Sequence, residues 1–243
     1  MNYSENSIDI FRKVVEAMTF PISIKSVSKS GKEYTLKVCN IYHSQPGFEV
    51  TIGGKKYVIV DYSDETTLIV KEDSSLEKNY PPTIAATSFD LYKPYFFHGT
   101  PIGTEEQLVK IDDASKKTPM VWMLENYIDE PYDEFSAFEK DVNAKWFFLT
   151  QCDPEQMQSP ELNHNCIKPM ERLAQEFLKK LNNLPARFYM DEYRPQFITH
   201  SKFGVYITNK GVQKSMFNDK LSGVELDKPI IVNKDYKCPD GCN

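Results

Sequence analysis

The stretch KWFFLTQCDPEQMQSPELNHNCIKPMERLAQEFLKKL, Lys145 to Leu181, sets an unbroken apolar run beside the strongest helical periodicity in the chain. DVNAKWFFLTQCD, Asp141 to Asp153, reads as one strand, and the succession Trp146, Phe147, Phe148, Leu149 predicts burial on both faces. The helix that follows is expected to start near Asn165 with Pro169 in its first turn, where a missing N–H is tolerated. Ile167, Met170, Leu173, Ala174, Phe177, Leu178 and Leu181 then fall on one face. A buried strand followed by an amphipathic helix points to an α+β body.

Upstream, Ser7 to Met18 places Ile10, Phe11, Val14, Val15 and Met18 at helical spacing, with Ser7 as N-cap and Pro21 just past the end. From Pro21 to about Lys71 the period changes to two: ISIKSV, EYTLKVCNI, FEVTI, KYVIV and TLIVK, separated by SKSGK, a Pro-Gly pair and the turn Gly53-Gly54. Five short strands in so few residues describe a small all-β module. EDSSLEKNYPP, Glu72 to Pro82, reads as a linker. The expected organisation is an α+β body from residues 1–20 and 75–243, with residues 21–74 as an inserted β module. The apolar face of the first helix needs cover, which the second helix is expected to supply.

TIAATSFDLYKPYFF, from Thr83, reads as strand, and FFHGTPIGTEEQL, Phe96 to Leu108, as a turn into a helix with Thr104 and Gln107 forming a capping box. A phosphate loop of the Walker type needs Lys and then Ser or Thr after its last glycine, whereas Gly103 is followed by Thr-Glu-Glu. MVWMLENY, Met120 to Tyr127, is a further strand. After Pro185 come the strands RFYMDEY and QFITHSKFGVYI, and then a loop FNDKLSGVEL that leads into the strand PIIV.

A balance of 29 basic against 35 acidic residues, net −6, argues against a protein that wraps nucleic-acid phosphates. No run approaches the roughly 18 apolar residues of a membrane span, and MNYSENSIDIF lacks the layout of a signal peptide, so a soluble protein used without export is expected.

Cys39, Cys152, Cys166, Cys238 and Cys242 are odd in number and widely spread, which predicts buried free thiols rather than a disulfide scaffold. Cys238 and Cys242 in CPDGC could hold a metal with two outside ligands or close a small loop; an incidental pair is the preferred reading. His43, His98, His164 and His200 lack a helical partner of ligand type, and His164 and Cys166 are expected to point to different sides. No catalytic residue, metal or cofactor is expected.

The richest polar cluster is Asp129, Glu130, Asp133, Glu134, Glu139 and Asp141, interleaved with Tyr132, Phe135 and Phe138. It lacks the spacing of a calcium loop. Aromatic anchors beside carboxylates suit a subunit interface, and Asp129, Glu130, Tyr132, Asp133, Glu134, Phe135 and Phe138 are its expected residues. The lysine pairs at 116–117 and 179–180 are expected to supply the complementary basic edge.

The order of short helix, several strands, HGTPIGT, the strands MVWMLE and KWFFLTQCD, the helix IKPMERLAQEFLKKL and then FNDKLSGVELDKPIIV resembles the neck and tail-connector proteins of tailed bacteriophages. The resemblance is to the tail-terminator-like ring proteins especially, including those of the crAss-like phages, and it covers residues 1–20 and about 84–235. It rests on a helix with Pro-Met at its start behind a buried strand, and on the passage Leu221 to Leu226. It implies a tail-terminator-like sheet with packed helices, to which residues 21–74 are an addition. It also implies a non-enzymatic structural virion protein: a homo-oligomeric ring in the neck or tail, joining portal to tail. Its partners would be other neck, portal or tail proteins and packaged DNA that passes through the channel without sequence-specific binding, with no membrane involved. The location implied is the virion, and the host cytoplasm during assembly. A small soluble enzyme with an unrecognised site and a β-module adaptor are the competing readings.

Overall fold

The computed structural model describes residues 7–39, 41, 44, 46–64, 66–72, 83–91, 93–111, 117–125, 139–142, 144–155, 157–184, 188–189, 196–207, 209, 211–226 and 230–233. The chain is α+β. Helix α1 (Ser7–Glu16) leads into β1 (Pro21–Ser30), β2 (Glu33–Val38), β3 (Glu49–Ile52), β4 (Lys55–Asp64) and β5 (Thr67–Glu72). Then come β6 (Ser88–Asp90), β7 (Tyr95–His98), α2 (Pro101–Val109), β8 (Met120–Glu125), β9 (Glu139–Val142) and β10 (Ala144–Gln151). A helical run follows: α3 (Ser159–Leu162), a π turn (Asn163–Ile167) and α4 (Lys168–Asn182). The chain ends with β11 (Phe188–Tyr189), β12 (Phe197–Phe203), β13 (Val205–Ile207), β14 (Gln213–Ser215), β15 (Leu221–Leu226) and β16 (Ile230–Asn233).

The five strands foreseen between Pro21 and Lys71 all form. They build an antiparallel sheet ordered β3-β4-β5-β2-β1-β6, and its end strands β3 and β6 touch, so the sheet curls toward closure. Alternation along each strand turns Tyr34, Leu36, Val38, Ile59, Leu68 and Val70 inward. β6 lies beyond residue 74 and completes this sheet by pairing with β1 from Pro21 to Ser23. The expected strand from Thr83 to Phe97 is therefore two short strands serving different sheets, separated at Leu91 to Pro94, where the chain crosses between them. Glu72, assigned above to the linker, is the last residue of β5 and accepts from Lys29 and from the Tyr34 hydroxyl.

The second sheet runs β12-β15-β10-β8-β7, antiparallel except for β7 and β8, which are parallel and joined through α2. β10 is near its centre, and Trp146 to Leu149 are buried on both sides as the apolar run predicts. One face packs on α4 and α1: Phe11 meets Trp146 edge-on at 4.6 Å and lies 6.5 Å from Phe177. The first helix thus finds its cover on the second. The buried core is continuous from this face into the curled sheet, and Tyr62 of β4 meets His164 at a tilt of 54° with ring centroids 4.9 Å apart. The opposite face carries a separate cluster around Trp122, with Phe147, Phe203 and Phe217, under α2.

Several expectations are corrected here. FNDKLSGVEL is not a loop: Leu221 to Leu226 form β15, fully buried between β12 and β10. Its polar look misleads because the Ser222 hydroxyl donates to Ser201 C=O, and Gly223 admits the Phe148 backbone: a Cβ there would sit 2.0 Å from Phe148 O. DVNAKWFFLTQCD divides into β9 and β10 in different sheets, with β9 paired to β16 in the sheet β11-β16-β9. QFITHSKFGVYI breaks at Gly204 (φ 74°) into β12 and β13, and of RFYMDEY only Phe188–Tyr189 is a described strand.

Helix α2 is capped by Thr100, whose hydroxyl accepts from Gly103 N–H at 3.2 Å, with Pro101 in its first turn. Thr104 is inside the helix and buried, and its hydroxyl has no hydrogen-bond partner among the described residues, so the expected capping box is absent. The second helical run starts earlier than Asn165, at Ser159, where Glu161 accepts from Gln158 N–H. Cys152 and Cys166 are not free thiols: they form a disulfide that ties the end of β10 to the π turn. Cys39 is exposed, and Cys238 and Cys242 lie outside the described residues. No helix among the described residues is long and apolar enough to cross a membrane.

Candidate subunit interface

Of the expected interface, Asp129, Glu130, Tyr132, Asp133, Glu134, Phe135 and Phe138 lie outside the described residues, while Glu139 and Asp141 fall in β9. Of the lysines expected to supply a basic edge, Lys179 and Lys180 are exposed on α4. Lys117 is turned inward onto Asp219 at 3.2 Å, and Lys179 is 3.6 Å from Glu176 on its own helix. Lys116 is outside the described residues.

A different surface stands out. β13 and β14 form a two-stranded ribbon with register Val205↔Ser215, Tyr206↔Lys214 and Ile207↔Gln213, joined to no other strand among the described residues. All six strand residues are exposed. Strand alternation puts Val205 and Ile207 on one face and Tyr206 on the other. Ile207 is 73% exposed, Val212 53% and Tyr206 47%, with Met216 also exposed. A two-stranded hairpin in water is marginal by itself, and among the described residues the apolar side chains on both of its faces are exposed.

The base of this ribbon is firmly held. Gly204 occupies the left-handed region, where a Cβ would come within 2.8 Å of the Phe217 ring, so the chain reverses tightly over that ring. Met216 N–H donates to Gly204 C=O at 2.9 Å, and the Ser215 hydroxyl donates to Phe217 C=O at 2.7 Å. Phe203 and Phe217 are buried against Trp122, and Asn218 N–H donates to Glu105 of α2 at 3.1 Å. The acidic groups around the base are matched within the subunit. Lys220 donates to Asp153 and Glu155, Lys202 reaches Glu155 at 3.5 Å, and Lys220 holds both carboxylates below their ordinary range. Between Ser201 and Asn218 the sequence has Lys202, Lys210 and Lys214 and no carboxylate.

Comparison with protein-family models, with curated proteins and with solved structures finds no match.

The ionisable side chains most able to do chemistry are gathered at His200. Its Nε2 is 2.8 Å from Oε2 of the buried Glu225, whose Oε1 accepts from Lys145 at 3.0 Å. Three adjacent strands, β12, β15 and β10, supply the three groups, and Phe147 and Phe203 flank the imidazole. Sequence reading missed this triad because Glu225 was placed in a loop, and only the β12–β15 register brings residues 25 apart together. The arrangement gives each oxygen of a buried carboxylate a polar partner, as a buried charge requires. His164 packs on Tyr62 while Cys166 is in the disulfide, so the two do face different neighbours. Among the described residues, no group of three His, Cys, Asp or Glu is placed to hold a metal ion.

Proposed function

We propose that this chain is a self-assembling structural subunit, a ring protein in the neck or tail of a tailed bacteriophage that joins portal to tail around the DNA channel. The observation that carries the assembly reading is the ribbon of β13 and β14, a hairpin anchored on Phe217 whose Tyr206, Ile207 and Met216 are exposed among the described residues. Such a surface costs solubility in a monomer and is retained where a partner buries it. The phage assignment and the tail-terminator-like character of the sheet rest on the sequence resemblance given above. A net-negative subunit suits a channel through which DNA must slide, since close neutralisation of phosphates would hold the duplex in place.

Electron microscopy of the purified protein, with size-exclusion chromatography coupled to light scattering, tests the reading. Closed rings of identical subunits are expected, together with the same chain in purified virions by mass spectrometry. A protein that stays monomeric at about 100 μM, well above the range of specific assembly, and is missing from virions would overturn it.

A further inference from the structure

We propose that Cys152, Cys166 and Met157 form a binding site for copper(I), a soft monovalent cation, when the disulfide between the two cysteines is reduced. This goes beyond the assembly reading and uses no part of the hairpin.

Three sulfur atoms from three parts of the chain meet at the end of β10. Cys152 directly follows its last residue, Met157 lies in the loop ahead of α3, and Cys166 is in the π turn. Met157 Sδ is 3.7 Å from Cys152 Sγ and 4.0 Å from Cys166 Sγ. A metal bonded to sulfur at about 2.3 Å sets the sulfurs of a trigonal site about 4 Å apart. The thioether therefore already stands where a third ligand belongs. The Cα atoms of the two cysteines are 6.6 Å apart, at the wide end of what a disulfide spans, so rotation of the side chains is enough to part their sulfurs to the same spacing.

The surroundings suit a site. Asn163–Ile167 widens the helical run for one turn, and that extra residue decides which way Cys166 faces; single π turns recur at functional positions. Cys152 and Cys166 are buried and Met157 is half-buried, so the thiols lie inside and the thioether marks the path by which an ion enters.

The donor set selects the ion. Thiolate and thioether are soft ligands of the kind that hold copper(I). A structural zinc site takes four ligands drawn from Cys, His and carboxylates, and among the described residues no three such groups come together. His164, two residues before Cys166, packs on Tyr62 instead.

Occupancy is tied to redox state. A low-molecular-weight thiol supplies two electrons and two protons, the S–S bond breaks to two cysteine thiols, and the reductant leaves as its own disulfide. Copper(I) then bonds to both cysteine sulfurs and displaces their two protons to water. Disulfide and metal exclude one another.

The test uses the full chain with Cys39, Cys238 and Cys242 replaced by Ser, which removes every other thiol. It is reduced with a water-soluble phosphine, desalted without oxygen and titrated with copper(I) held by bathocuproine disulfonate, whose colour fades as the protein takes the metal. Thermal unfolding shows whether the reduced chain is folded. One copper(I) per reduced chain is expected and none on the oxidised chain, with X-ray absorption finding three sulfurs at about 2.3 Å. Met157→Leu nearly keeps the volume and should weaken copper binding about tenfold or more, at least what loss of an outer partner costs. If Met157→Leu binds as tightly as its parent, or only two sulfurs are found, the thioether is a packing group and the site is overturned. Equal binding by the oxidised chain, or zinc(II) held as tightly as copper(I), overturns it as well. So does a reduced chain that no longer unfolds cooperatively, because the site needs the fold to gather its three sulfurs.

Discussion

Phe11 of α1 and Trp146 of β10 meet edge-on with ring centroids 4.6 Å apart, and both are fully buried. The N-terminal helix is thereby fastened to the centre of the body sheet across the whole intervening curled sheet in sequence. Phe11→Ala should cost about 3–5 kcal/mol, the usual range for an aromatic removed from a packed core. Urea unfolding checks it; a loss below about 1 kcal/mol would mean that α1 is only loosely docked.

The disulfide between Cys152 and Cys166 closes a loop of 14 residues. Replacing both cysteines with Ser should lower stability by about 3 kcal/mol, and a reducing agent should lower wild type to the same level. Denaturant curves with and without reductant read both effects. Equal curves for oxidised wild type and the double variant would contradict the bond's role.

Gly223 and Gly211 separate two reasons for glycine. Gly223→Ala drives a Cβ into the Phe148 carbonyl in the middle of the sheet and should abolish soluble expression. Gly211→Ala meets only the backbone penalty of its φ of 73°, about 1–2 kcal/mol, and should fold. Soluble yield and melting temperature of the pair decide the matter.

Lys220 draws Asp153 and Glu155 below their ordinary values of 3.8 and 4.5. The unfolded chain binds more protons on these groups as the pH falls, so their contribution is present above the ordinary values and lost as the pH drops through the lowered ones. Lys220→Met should therefore flatten the decline of stability below about pH 4.5 while changing little at pH 7, where exposed pairs are worth little. Melting temperature against pH for the two proteins checks this; parallel curves would count against it.

The elements with an unambiguous period were legible in the sequence: α1 through Phe11 and Val15, α4 through Leu173 and Phe177, and the alternating strands of the curled sheet. β15 was not, because Ser222, Gly223 and Glu225 look like turn residues until Ser201, Phe148, His200 and Lys145 stand opposite them. The disulfide was hidden for a similar reason: its cysteines are 14 positions apart across loop and helix, and only the fold brings them together. The hairpin was hidden because QFITHSKFGVYI keeps a strand pattern straight through Gly204. Its exposure follows from the turn over Phe217, a contact between residues that the local pattern does not couple.

The central strand also belongs to two interiors at once. β10 sends Trp146 and Phe148 into the cluster that α1 and α4 cover, and Phe147 and Leu149 into the cluster around Trp122. Neither cluster can loosen without disturbing the backbone that carries the other, so the two faces of the sheet are expected to melt in one transition and not in turn.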